Sequence, residues 1–264
     1  MPIRLAAQEH FFEGRDLVEK FAGAEAAGFD GIELLGAGDG GFAARAGELR
    51  RARDAGVVMP TVCVQTDHFI GDFDAERRRD ARATMKLLLS TIVEAGGFGA
   101  ITPASWGMFS TRLPPFTPPR DAAADREVLL QELTALGEHA REVGATLLLE
   151  PLNRYEDHMV NRLAQAVDLV RTVDLPSVRI VGDFFHMSIE EVDLDESIRE
   201  AAPYLAHFQV SDTNRLEPGA GHLDWDRRLD TLEEIGYTGW LAMESRLSGP
   251  AEQVLPAVSK LLRR

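Results

Sequence analysis

Short apolar segments, each too brief to be a helix, alternate along the chain with longer amphipathic ones. That rhythm fixes the fold class more firmly than any single motif. It predicts strands over residues 4–8, 31–35, 57–65, 100–103, 146–150, 178–183, 205–211 and 240–244. Helices are expected over 15–27, 42–55, 74–95, 121–143, 161–173, 194–201, 225–235 and 251–262. In the first helix Leu17, Val18, Phe21 and Ala24 recur at helical spacing, and Gly96-Gly97 closes the helix over 74–95. The run Thr146-Leu-Leu-Leu-Glu150, bracketed by Gly144 and Pro151, has the continuous apolar character of a strand covered on both faces, as in a parallel sheet. Strand–helix units follow one another with no composition shift and no linker, which predicts an α/β protein: a closed (β/α)8 TIM barrel forming a single domain over residues 1–264. The first turn, residues 8–14, lacks the G-x-G-x-x-G phosphate loop of an open dinucleotide-binding sheet.

Charge narrows the partners. At a formal −15 the chain repels a phosphate backbone, so no nucleic-acid partner is expected and a small neutral molecule is. No apolar run approaches the roughly 18 residues of a membrane span, and Met1-Pro-Ile-Arg leads into structure rather than a signal peptide, so a cytoplasmic protein is expected. Cys63 stands alone, which excludes an internal disulfide and fits a buried core thiol. Lys20, Lys86 and Lys260 are the only lysines and none ends a strand, which leaves little for Schiff-base chemistry.

A barrel of this kind carries its chemistry at the C-terminal strand ends. There the fifth strand ends in Glu150, the sixth in Asp183, the seventh carries His207 and the eighth ends in Glu244. One such residue would be a rim ion pair; four on adjacent strands point to a metal site. Three carboxylates and an imidazole suit one hard divalent ion, Mn²⁺, Mg²⁺ or Co²⁺, with Zn²⁺ also compatible. About two octahedral positions would stay open, enough for neighbouring oxygens of a sugar. Residues 105–120, with Trp106, Phe109, Phe116 and four prolines, interrupt the rhythm and read as a lid beside the pocket. Trp106 would either stack on a sugar face or fill the lid's own core. His10 and His68 lie on loops that reach towards the mouth.

The segments Glu150-Pro-Leu-Asn-Arg-Tyr-Glu156, Asp183-Phe-Phe-His-Met-Ser-Ile-Glu-Glu191, His207-Phe-Gln-Val-Ser-Asp-Thr-Asn-Arg215, Pro218-Gly-Ala-Gly-His-Leu-Asp-Trp225 and Ile235-Gly-Tyr-Thr-Gly-Trp-Leu-Ala-Met-Glu244 resemble the ketose 3-epimerases of the xylose-isomerase-like barrel superfamily. The close match covers about residues 146–246. By that resemblance Glu150, Asp183, His207 and Glu244 hold the metal, Mn²⁺ first among the candidates, and Glu150 and Glu244 double as the acid/base pair. Glu156, His186 and Arg215 would hold the O1 and O2 end of a free ketose, and a homo-oligomer is implied. The chemistry agrees: epimerisation at C3 needs a proton removed beside a carbonyl, a stabilised enediolate, and a proton returned on the opposite face.

The chain departs from that pattern after Glu244, where Ser245-Arg246 and Ser248-Gly249 suggest a phosphorylated or acidic substrate. The segment Val64–His68 and the lid depart as well. Metal-dependent dehydration of an inosose or 3-dehydroshikimate type, aldose–ketose isomerisation and a sugar-binding barrel without turnover are the alternatives. An endonuclease would need a basic groove.

Overall fold

Eight strands pair in sequence order, each parallel to the next: β1 (Arg4–Gln8), β2 (Gly31–Ala37), β3 (Thr61–Gln65), β4 (Gly99–Pro103), β5 (Thr146–Glu150), β6 (Val178–Asp183), β7 (Leu205–Val210) and β8 (Trp240–Met243). Strand β8 then closes on β1, Arg4 to Ala7 lying beside Trp240 to Met243, so no edge is left unpaired. A computed structural model gives this architecture and describes residues 3–110, 114 and 116–263. The single-domain (β/α)8 barrel expected from the alternation is the observed fold.

Alternation along each strand sorts the core into two. Inward-facing Cys63, Ile101, Leu148 and Val181 fill the barrel lumen. Outward-facing residues such as Leu147, Leu149 and Ile180 belong to the layer shared with the helices, where Leu133, Leu136 and Leu169 are also buried. Those helices are α1 (Leu17–Ala26), α2 (Gly41–Ala44), α3 (Ala46–Asp54), α4 (Ala75–Glu94), α5 (Ala122–Val143), α6 (Leu163–Val173), α7 (Phe184–Glu190), α8 (Leu194–Ala201), α9 (Trp225–Glu234) and α10 (Ala251–Leu262). Aspartates start several of them: Asp74 accepts the amides of Glu76 and Arg77 at α4, and Asp121 that of Ala124 at α5. None of the described helices is long and apolar enough to cross a membrane.

Three local expectations change. Strand β3 starts at Thr61 rather than Val57, after Pro60, which has no amide to give a ladder. The single helix expected over 42–55 is two, divided at Arg45, whose guanidinium reaches the buried Glu9 carboxylate. Helix α7 is additional: Asp183 ends β6 and at once caps α7. The lid segment lies partly outside the described residues, at 111–113 and 115.

Candidate active site

Glu150, Asp183 and Glu244 arrive where β5, β6 and β8 end, the first two almost wholly buried. Asp183 is anchored from two sides: Oδ1 accepts the amides of Phe185 and His186 at 2.7 and 3.1 Å, and Oδ2 accepts Arg215 Nη1 at 2.7 Å. Arg215 Nη2 lies 3.0 Å from Glu244 Oε2, so one guanidinium bridges the ends of β6 and β8. The carboxylates consequently diverge. Burial would raise Asp183, but Arg215 and His186 hold it below the usual range. Burial, with Glu244 and Asp183 nearby, pushes Glu150 well above that range. Burial also pushes Glu244 up to about 7, against the pull of Arg215. Free of a cation, the site thus sets one carboxylate that stays ionised beside two that more readily take a proton.

His186 faces the same group, its Nε2 3.8 Å from Glu150 Oε1, and ligand atoms of Glu150, Asp183 and His186 fall within 4.8 Å of one another. Its tautomer decides its use. The backbone amide of Asn153 donates to His186 Nδ1 at 3.0 Å, so Nδ1 is the acceptor. Burial lowers the His186 pKa, keeping the ring neutral, and the proton then sits on Nε2. That nitrogen is a donor towards a substrate oxygen and has no lone pair for a metal. Asn153 Nδ2 also donates to Glu156 Oε1 (2.8 Å), and Glu156 Oε2 accepts the indole N–H of Trp106 (3.0 Å). Trp106, half-exposed, thus lines the cavity on a polar tether, with Phe69 beside it.

The histidine expected as a ligand is placed elsewhere. His207 pairs with Val181 in the β6–β7 register and its ring meets Phe98, which precedes β4, so it lies deep in the lumen. Its Nε2 is 2.9 Å from Glu33 Oε2. Gln209, two residues on and therefore also inward-facing, pairs with Asp183. Its Nε2 donates to Glu33 Oε1 at 2.9 Å, and its buried Oε1 has no hydrogen-bond partner among the described residues. Glu33 also accepts from Thr61 Oγ1 and Gln8 Nε2. Burial would raise Glu33, yet these donors and His207 hold it lowered. Gln8 reaches Glu244 as well, linking this buried layer to the site above it. Sequence reasoning missed Glu33, Gln8 and Gln209. The available signals were a glutamate inside the apolar run Gly31–Leu35 and the two-residue step from His207.

Arg215 owes its place to a braced loop. Its φ of 60° lies in the left-handed region, costly for a residue with a Cβ, and the amides of Arg215 and Arg246 pin it, donating to Asp212 O and Arg215 O. Asp212, fully buried, accepts the amides of Thr213, Gly219 and Leu223 and the indole N–H of Trp225. A Cβ on Gly221 would collide with that carboxylate. Asp212→Ala should therefore cost about 3 kcal/mol, read as a drop in melting temperature of roughly 6–12 °C. It should also lower turnover by releasing Arg215. An unchanged melting temperature would show the loop to be held by other means.

With Glu150, Asp183 and Glu244 all ionised, the one guanidinium of Arg215 leaves two negative charges, which one divalent cation would balance as it displaces their protons. The leftover Gln209 oxygen adds a neutral donor of the same hard kind. These residues fit a hard cation better than a thiolate-preferring one. The cavity above them measures about 770 Å³, with Arg215 its only lysine or arginine among the described residues. Ser248 donates to the Glu217 carboxylate, and Arg246, the basic residue of the 245–249 turn, does not line the cavity. His68 lines the cavity and His10 does not.

The family model described as xylose isomerase-like TIM barrel matches residues 21–264. The chain is 36% identical over 247 residues to the 3-dehydro-D-guloside 4-epimerase of Escherichia coli K12, covering 93% of both proteins. Identity to the D-psicose 3-epimerase of Agrobacterium fabrum is also 36%, but over 129 residues, 49% of this chain and 45% of that protein. Among solved structures, the apo form of E. coli 3-keto-D-glucoside 4-epimerase superposes with a TM-score of 0.92 at 35% identity, over 98% of each chain. A D-psicose 3-epimerase crystallised in the presence of D-fructose gives 0.77 at 25% identity, over 99% of this chain and 90% of that one.

Proposed function

The chain belongs to the xylose isomerase-like TIM-barrel family, and we propose that it epimerises a keto sugar at the carbon beside the carbonyl, using one divalent cation and the carboxylates Glu150 and Glu244. The observation that carries this reading is the pair itself: two carboxylates at the ends of β5 and β8 that line one cavity, beside an arginine and an N–H-bearing histidine. One carboxylate takes the proton from the C–H beside the carbonyl as the electron pair moves onto the carbonyl oxygen. The other returns a proton to the opposite face of the same carbon as the carbonyl re-forms. Arg215 and His186 Nε2–H are the donors positioned for the oxygens that carry the negative charge, and Trp106 and Glu156 border the ring. Glu150 and Asp183, whose oxygens converge, would hold the cation together with Glu244, bridged to Asp183 by Arg215, and Gln209 Oε1, unpartnered at the level of Asp183, in place of the His207 expected from sequence. When bound, the cation would supply Lewis-acid stabilisation of charge on neighbouring substrate oxygens; an all-oxygen set suits Mn²⁺ and Mg²⁺ alike, and the resemblance to the ketose 3-epimerases puts Mn²⁺ first.

The same proton transfer serves two substrates. In a 3-keto-glycoside the carbons beside the carbonyl are C2 and C4, and this reading places the exchange at C4; in a free 2-ketose they are C1 and C3, of which only C3 is a stereocentre to invert. Similarity over nearly the whole length to a keto-glycoside 4-epimerase, and a cavity with room for more than one ring, favour the glycoside. A free ketose epimerised at C3 is the second reading, supported by the ketose 3-epimerases that match about half of the chain. Proton NMR in D₂O decides between them. Metal-depleted protein is reloaded with Mn²⁺ for turnover, and the ion is chelated before each spectrum. Deuterium appearing at C4 of a methyl 3-keto-hexoside together with its epimer is the expected result. Deuterium only at C3 of free ketoses would select the second reading, and loss of water with an ultraviolet-absorbing product would replace both with dehydration.

A further inference from the structure

The cavity spans the barrel mouth, and its two halves differ. The half over β5 to β8 carries the carboxylates, His186 and Arg215. The half over β2 and β3 is walled by Gly38-Asp39 on one loop, Thr66 to Phe69 on the next, and Asp80 of α4. A hexose, with twelve non-hydrogen atoms, occupies roughly 200 Å³ at ordinary packing, about a quarter of the 770 Å³ available. One ring seated against Glu150 and Glu244 leaves the β2–β3 half empty.

Its chemistry selects an occupant. Asp39 and Asp67 are exposed and no lysine or arginine stands in this half among the described residues, which disfavours phosphate or carboxylate groups. His68 Nδ1 is bonded to Asp80 Oδ2, which fixes the ring, and Nε2 has no partner among the described residues. Phe69 and Trp106 stand side by side, ring centroids 6.5 Å apart, where the two halves meet. Aromatic surface flanked by acceptors and a fixed imidazole suits a neutral ring bearing hydroxyls. Resting on the keto-glycoside reading above, we infer that the β2–β3 half binds the second sugar ring of a 3-keto-disaccharide, with Asp67 and His68 taking its hydroxyls. The distal ring then contributes binding energy to a reaction carried out on the proximal one.

The test uses the Mn²⁺-loaded enzyme with two substrates sharing the reacting ring, a methyl 3-keto-hexoside and a 3-keto-disaccharide. The disaccharide is expected to have a kcat/KM on the order of tenfold higher, the worth of one or two hydrogen bonds to charged or fixed groups. Asp67→Asn and His68→Ala should each remove most of that advantage, mainly through KM, and leave the methyl glycoside unchanged. Asp67 makes no side-chain hydrogen bond among the described residues, so its variant keeps the fold even if His68→Ala, which breaks the Asp80 bond, does not. Equal kcat/KM for the two substrates, or equal losses on both, overturns the second-ring site. If neither keto-glycoside reacts, the substrate reading fails on its own. The site is then judged by saturation-transfer NMR on Mg²⁺-loaded protein with methyl glucoside and an ordinary disaccharide. Saturation on the second ring that Asp67→Asn abolishes supports the site, and its absence refutes it.

Discussion

Replacing Glu150 by Gln, at saturating Mn²⁺, is expected to slow interconversion of the two epimers by about 10²–10⁴-fold, the span of a lost general acid or base. The more telling result is what survives. Each carboxylate serves one face of the carbon, so Glu150→Gln should still wash deuterium into one epimer, the one whose hydrogen faces Glu244. Glu244→Gln should spare the other. Reciprocal wash-out separates proton transfer from the metal-holding role both residues share, because losing the ion would silence both faces alike. The same substitution should stabilise the cation-free protein. Glu150 binds its proton more tightly folded than unfolded, so its contribution is most favourable below the ordinary carboxylate range and is lost as pH rises through its elevated folded value. At pH 8 in chelator, Glu150→Gln should melt a few degrees above the parent protein. Wash-out from the same epimer in both variants would refute the two-carboxylate mechanism, and an unchanged rate would remove Glu150 from the chemistry.

The barrel was legible because its two periods differ so plainly: runs such as Thr146–Glu150 cannot be helices, and Leu17, Val18, Phe21 and Ala24 cannot be a half-buried strand. Glu150, Asp183 and Glu244 were legible as strand ends for the same reason. Depth was not. His207 and Gln209 have the same parity and both face inward, and only the pairing of Asp183 with Gln209 and of Val181 with His207 shows which lies level with the site. Register belongs to two strands at once, and one strand's sequence does not contain it. Helix α7 was missed because Asp183 does two jobs, ending a strand with its backbone and capping a helix with its side chain. Glu33 was hidden because an apolar strand with one acid reads as a strand. Its four donors, Gln8, Thr61, His207 and Gln209, come from three other strands.

That difference in depth yields the second large effect. Gln209→Leu removes the amide oxygen at the level of Asp183 and should weaken Mn²⁺ binding by about 100-fold, as loss of a ligand or of its close support does. His207→Gln, one layer deeper, should change it by less than about tenfold and act instead on stability, since it alters the principal partner of the buried Glu33. Calorimetric titration of the metal-depleted protein measures both without turnover. In the parent protein affinity should also rise with pH. Glu244, near 7, and Glu150, higher than usual, hold protons that a cation must displace. Below pH 7 the dissociation constant should worsen by about tenfold per pH unit for each displaced proton. Titrations in two buffers of different ionisation enthalpy should register the proton release. If His207→Gln proved the more damaging variant, the histidine first read from the sequence would be restored as the ligand of β7 and Gln209 would become its support. If neither variant moved the affinity, the cation would be held by the three carboxylates alone, and the orphaned amide oxygen would await a substrate hydroxyl instead.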